Sequence, residues 1–160
     1  GADLMIGFGR RDRFSDVKVE NGTVHVHGVS APLTMELKNG DFHIDDVNGS
    51  LSVSLDSGHG FVAVGRKGSR EKKLDLKLKN ASAAVFDPES TVGRIMLSLE
   101  DDRPRGVFLA FPFAQLEGRQ SGRVIQFTEH SGKTSLKADM RGATLMMIKH
   151  LFLKENRRKK

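Results

Sequence analysis

The chain has 160 residues, a formal net charge of +6, and no cysteine, tryptophan or tyrosine. That length can bury a core without disulfides, and the missing cysteines exclude a disulfide framework or a thiolate metal site. The missing Trp and Tyr remove the strongest stacking anchors, which argues against a polysaccharide- or nucleotide-stacking surface.

No apolar run approaches the ~20 residues that a membrane-spanning helix needs. The opening Gly1-Ala2-Asp3-Leu4-Met5 does not read as a signal peptide and suits the cut edge of a longer protein. Arg10-Arg11-Asp12-Arg13 follows, in a position where charges are usually solvated.

Next comes a repeat. Asn21-Gly22-Thr23-Val24-His25-Val26, Asn39-Gly40-Asp41-Phe42-His43-Ile44 and Asn48-Gly49-Ser50-Leu51-Ser52-Val53 share one pattern. In each, Asn-Gly suits a turn with positive φ, and the alternation after it suits a strand with one buried face. The unit is nine residues or a multiple of nine. Ser30-Ala31-Pro32-Leu33-Thr34-Met35 fills the gap, and Ser57-Gly58 continues the series loosely, with its apolar residues at Phe61, Val62 and Val64. An eighteen-residue echo lies on top: Leu37 with Leu55, Val29 with Val47, His25 with His43.

The fold class is therefore all-β, built from repetitive short strands with Asn-Gly turns. Two architectures fit. In an antiparallel meander sandwich, loops at Asn39-Gly40 and Asn48-Gly49 pair Leu37 with Phe42, Met35 with Ile44, Ile44 with Val53 and Phe42 with Leu55. In a β-solenoid or β-roll, two nine-residue strands make one rung, and equivalent residues stack. Both give one apolar face or groove: Val24, Val26, Leu33, Met35, Leu37, Phe42, Ile44, Leu51, Val53 and Leu55.

The three Asn-Gly copies, Asp56-Ser57-Gly58-His59-Gly60-Phe61-Val62-Ala63-Val64, and the alternating Leu74-Asp75-Leu76-Lys77-Leu78 carry a family resemblance. Residues 14–86 resemble the bacterial putative-adhesin β-solenoid domains, whose short strands alternate with Gly turns. That resemblance implies a cell-envelope or extracytoplasmic setting. Val17-Lys18-Val19-Glu20-Asn21-Gly22-Thr23-Val24, with the strands after it, also resembles the repeats of AsmA-like and lipopolysaccharide-transport proteins. Those repeats imply an open apolar β-groove. Neither family supplies a catalytic residue.

Further along, Arg66-Lys67-Gly68-Ser69-Arg70-Glu71-Lys72-Lys73 is a second basic cluster, and Asp87-Pro88 reads as a turn. In the irregular β part, residues 87–142, Ile95–Leu99 and Val107–Phe111 read as a hairpin about the charged stretch 100–106. Gly122–Phe127 and Lys133–Ala138 read as another pair around Ser131-Gly132. Continuous apolar runs here suggest strands covered on both faces, closing over the first half.

The segment 143–153 leads into a basic tail, 154–160. Leu145, Ile148 and Phe152 share a helical face, so a C-terminal helix is expected, with a strand as the alternative. Lys149, Lys154, Arg157, Arg158, Lys159 and Lys160 would give a partner-docking or membrane surface. A core element with a solvated tail is the plainer reading. Residues 1–153 are thus expected to form a single β-rich domain.

Apparent sites dissolve on inspection. Ser131-Gly132-Lys133-Thr134 matches the end of a phosphate-binding loop, but Phe127 stands where the motif needs Gly. Asp56, Ser57 and His59 read as turn residues. His25 and His43 would stack in a solenoid, whereas a meander places His43 opposite Glu36 and Ser54. Two nitrogens without a third ligand do not make a metal site, and no calcium-binding nonapeptide recurs. Net charge supplies at most non-specific phosphate binding, with no nucleic-acid motif beside it.

No cofactor is expected and no enzyme. The reading is a non-catalytic structural or adhesin-like module with a protein partner, open to oligomerisation through its strand edges. The alternative is a carrier whose apolar face forms a groove for lipid or another amphiphile.

Overall fold

A computed structural model describes residues 2–7, 15–29, 32–65, 71–87, 92–99, 107–111, 117–121, 124–128 and 134–149. No described residue is helical. The strands are β1 (Ala2–Gly7), β2 (Ser15–Glu20), β3 (Gly22–His27), β4 (Leu33–Val47), β5 (Leu51–Val64), β6 (Lys72–Asp87), β7 (Val92–Leu99), β8 (Val107–Phe111), β9 (Glu117–Ser121), β10 (Val124–Thr128), β11 (Thr134–Arg141) and β12 (Thr144–Lys149).

Most neighbours are parallel. β4 lies on β5 with Leu33 beside Leu51 and Asp41 beside His59, a step of eighteen residues. The same step sets β2 and β3 on β4. Between β5 and β6 the step lengthens, so that Leu51 meets Leu74. β11 then inserts between β6 and β7, parallel to both. Antiparallel pairing is confined to the far end, where β10 joins β7 and β9.

Asn21-Gly22 and Asn39-Gly40 are corners rather than reversals, whereas Asn48-Gly49 lies in the connection between parallel β4 and β5 and does not take the positive φ expected of it. β4 runs through Asn39-Gly40, and its partners on both sides are parallel. Asn21, Asn39, Ser57 and Asn80 take φ of 56°, 54°, 61° and 48°, with Gly142 at 56°. Short polar side chains and glycine tolerate this left-handed backbone best.

One left-handed residue changes which alternate positions face inward. Leu33, Met35 and Leu37 are buried before the corner of β4, and Phe42 and Ile44 after it. In β6 the switch passes from Leu74, Leu76 and Leu78 to Ala81, Ala83 and Val85. Across Gly142 it passes from Leu136, Ala138 and Met140 to Ala143, Leu145 and Met147. Both limbs of each corner thereby feed one apolar cluster.

Corner packing dictates the second residue. Gly22, Gly40 and Gly58 stack, and a Cβ on Gly40 or Gly58 would strike the carbonyl oxygen of the glycine below it. Inside, Leu33, Leu51, Leu74, Leu136 and Ile95 form one continuous row. Burying each such side chain contributes about 1.5–3 kcal/mol.

This topology replaces the meander. Leu37 and Phe42 share the core because Asn39 switches the alternation, not because the chain turns back on itself. Neither hairpin expected in the second half forms. β7 pairs with β11 and β10, while β8 pairs with β12. β10 pairs with β9 and β7, and β11 with β6 and β7. Nor is β7 covered on both faces: Ile95 and Leu97 are buried, whereas Arg94 is exposed.

The C-terminal helix is also overturned over 144–149. Those residues form β12, parallel to β6 and β8, with Leu145 and Met147 buried. Parallel pairing on both sides satisfies the backbone and lets alternate residues reach the core, which a helix in this place could not do.

Candidate functional site

The ten residues assigned to an apolar face or groove, Val24 to Leu55, are all 0–3% exposed. They are core residues, and two of them, Leu37 and Leu55, also reach the lining of a groove at the corner. Functional chemistry therefore falls to the outward positions, which the alternation places in ladders along two faces.

On the face before the corner, the ladders are charged. Lys18, Glu36, Ser54, Lys77, Asp139 and Ser98 follow one another in register. Two residues on, Glu20, Lys38, Asp56, Lys79 and Arg141 form a second row. Lys18 Nζ lies 3.9 Å from Glu36 Oε2, with both side chains well exposed. A groove of about 730 Å³ lies along these rows, with Leu37, Leu55, Leu78 and Met140 contributing to its lining.

On the face after the corner, histidines gather. His25 and His43 stack with ring centroids 6.0 Å apart, as the eighteen-residue echo implies. Phe61 continues the stack 4.8 Å from His43. His43 Nε2 lies 2.7 Å from Asp45 Oδ1, and His27 Nδ1 lies 3.8 Å from Asp45 Oδ2. Among the described residues, no three His, Asp or Glu side chains are grouped to hold a metal ion. His43 is in register with His25 and Phe61, not opposite Glu36 and Ser54.

Asp56, Ser57 and His59 do not assemble a relay. The Ser57 hydroxyl donates to Asp56 Oδ1 at 3.2 Å, while His59 Nδ1 lies 2.6 Å from Ser82 Oγ. The His59 backbone N–H donates to Asp41 Oδ1 at 3.1 Å. The two His59 contacts tie β5 to its neighbours β4 and β6. Thr134, at the end of the phosphate-loop look-alike, opens β11 with its side chain buried.

Lys72, in the second basic cluster, is buried. It is only 4% exposed, and Nζ donates to the Val47 carbonyl at 3.4 Å. Asp87 is fully buried and accepts the Val92 N–H at 2.8 Å, while Pro88 of the turn expected at Asp87-Pro88 lies outside the described residues. Lys149 ends β12 in register with Asp87. Lys154, Arg157, Arg158, Lys159 and Lys160 lie outside the described residues, as do residues 8–14 and 66–70 of the basic clusters.

Lys79 and Arg141 escaped the sequence reading. They are far apart in the chain and become neighbours only because β11 inserts beside β6. The signal that could have found them is the corner itself, since Asn80-Ala81 and Gly142-Ala143 repeat the left-handed-then-small pattern of Asn21-Gly22.

No protein-family model matches the chain, and no curated protein matches it. The chain is similar in fold to the crystal structure of a putative cell adhesion protein from Clostridium sporogenes, with a TM-score of 0.51 and 16% identity. The likeness covers 78% of this chain and 55% of that one, so the chain spans about half the length of that protein. At this identity the similarity is one of fold.

Proposed function

We propose that the chain is a non-catalytic, adhesin-like β-solenoid module that works by contact between its outer faces and a protein or cell-envelope partner. Parallel strands at an eighteen-residue step, bent at stacked left-handed corners, are what a coil of rungs produces. The observation that carries the reading is the division of labour between rows. Inward rows are largely apolar and buried, while outward rows present charged and imidazole groups along two faces. Such a body offers long, regular contact surfaces. The fold likeness to a protein described as a putative cell adhesion protein points the same way.

Binding of the labelled chain to cell-envelope preparations, alongside native mass spectrometry with solvent extraction, tests the proposal. Saturable binding with a clean apo mass supports it. A solvent-released lipid mass would replace it with the carrier reading.

A further inference from the structure

The charged face before the corner is its own complement when its strand order is reversed. Across five neighbouring strands one row runs Lys18, Glu36, Ser54, Lys77, Asp139. Uncharged Ser54 is the centre, and each charge has its opposite at the mirrored place: Lys18 answers Asp139, and Glu36 answers Lys77. The row two residues earlier runs Asp16, Thr34, Ser52, Asp75, Lys137. There Asp16 answers Lys137, and Thr34 answers Asp75. Lys18, Glu36, Lys77, Asp16, Thr34 and Lys137 are exposed, and Asp139 and Asp75 are half-buried.

Such a face fits a second copy of itself. A two-fold axis along the strands, passing over Ser54, reverses the strand order and sets each row against its own row. Every charge in the two rows but Asp75 then meets its opposite, and Asp75 meets the Thr34 hydroxyl. Other placements fail. An axis half a strand away opposes Lys18 to Lys77, or Glu36 to Asp139. An axis along the stack opposes Lys18 to its own copy and Asp16 to Glu20. These charges already have opposite neighbours within the chain; the fit depends on their order, not on any being unbalanced. The match ends at the row nearest the corner, where Lys38 would oppose Lys79 and Asp56 its own copy, so the contact centres on the other two rows.

Spacing narrows the partner as well. Each row presents one side chain per strand, about 4.8 Å apart, whereas one side of an extended peptide repeats only every ~6.6 Å. Another stack of strands keeps step with these rows, and an extended peptide does not. Five strands and six residues of each make a face of roughly 24 by 20 Å, about 500 Å² per copy. Both copies together stay below the ~1,200 Å² of a stable specific interface, so the pairing is weak and reversible. Its charges set orientation more than strength.

We propose that this face pairs two copies of the chain, with strand order reversed, about a two-fold axis over Ser54. This goes beyond the contact-module reading, which requires only that an outer face meet some partner.

Sedimentation velocity of the full chain over a concentration series, at low and high salt, tests it. A monomer–dimer equilibrium that weakens with salt is expected. Glu36→Lys and Lys77→Glu each turn two attractive contacts into repulsive ones and should weaken the dimer by roughly tenfold or more. Mixed in equal amounts, the two variants should pair with each other, because one copy then presents two positive charges and the other two negative ones. Ser54→Cys, which leaves the charges alone, should cross-link to itself through a short bismaleimide. His59→Cys, on the face after the corner, should not.

A monomer at every concentration would overturn the proposal. So would a dimer that persists in both charge variants, or folded variants that do not pair when mixed. Where a variant loses its cooperative melt, the Ser54→Cys cross-link decides. Open-ended assemblies without that cross-link would place the contact at strand edges and also overturn it. If the chain stays monomeric while envelope preparations bind, this proposal falls and the contact module stands. If the dimer forms and envelope preparations do not bind, the pairing stands without that reading.

Discussion

β3, β4 and β5 repeat at a fixed eighteen-residue step, whereas β6, β11 and β7 come together across long and unequal stretches of sequence. Both regions nevertheless use the same device: a left-handed residue, then a small one, then a switch in the alternation that faces inward. The first region stacks glycines at the small position, and the second places Ala81 and Ala143 there. The switch in the inward-facing alternation is therefore a property of the corner, not of the spacing between corners.

The comparison breaks hardest in the core. Leu55→Ala in the regular region and Leu136→Ala in the irregular one remove side chains that are each 1% exposed. Each should cost about 2–5 kcal/mol in denaturant unfolding. A much smaller loss at Leu136 would mean that the second region unfolds separately.

Next comes the glycine stack. Gly58→Val adds a side chain where even a Cβ would strike the Gly40 carbonyl, so about 3 kcal/mol should be lost. Ala81→Gly, at the equivalent position of β6, should cost no more than about 1 kcal/mol. Equal losses would remove the distinction between glycine and alanine corners.

The left-handed residues should give smaller effects. Asn39→Ala and Asn80→Ala should each cost about 1 kcal/mol, because alanine resists positive φ. Asn39→Gly should be close to neutral, and thermal melts would separate these outcomes. The smallest effect belongs to the exposed ladder: Lys18→Ala, which removes the 3.9 Å pair with Glu36, should change stability by less than about 0.5 kcal/mol.

The sequence made the buried set legible because alternation in a one-sided strand depends only on local pattern. Hairpin arithmetic put Leu37 and Phe42 on one face. The solenoid alternative put His25 over His43, and that is where the structure has them. What local pattern could not show was that Asn39 is left-handed inside a continuing strand. Asn-Gly serves a reversal or a corner equally well, and pairing with a distant strand decides between them.

The same limit explains β12. Leu145, Ile148 and Phe152 fit a helical face, and Leu145 and Met147 fit a strand face. The place beside β6, supplied by the long-range topology, favours the strand. Lys79 and Arg141 were illegible for this reason too. Their adjacency depends on β11 entering between β6 and β7, and no repeat period encodes that.

The central claim is the parallel eighteen-residue stack, and paired spin labels test it most directly. The chain has no cysteine, so labels attach only where cysteines are placed. His25→Cys with His43→Cys puts labels on neighbouring outward positions, about 4.8 Å apart between strands. Strong dipolar broadening is expected there. Glu36→Cys with His43→Cys places labels on the two sides of the Asn39 corner, where weak coupling is expected. Strong coupling in the second pair and none in the first would restore the hairpin and contradict the stack.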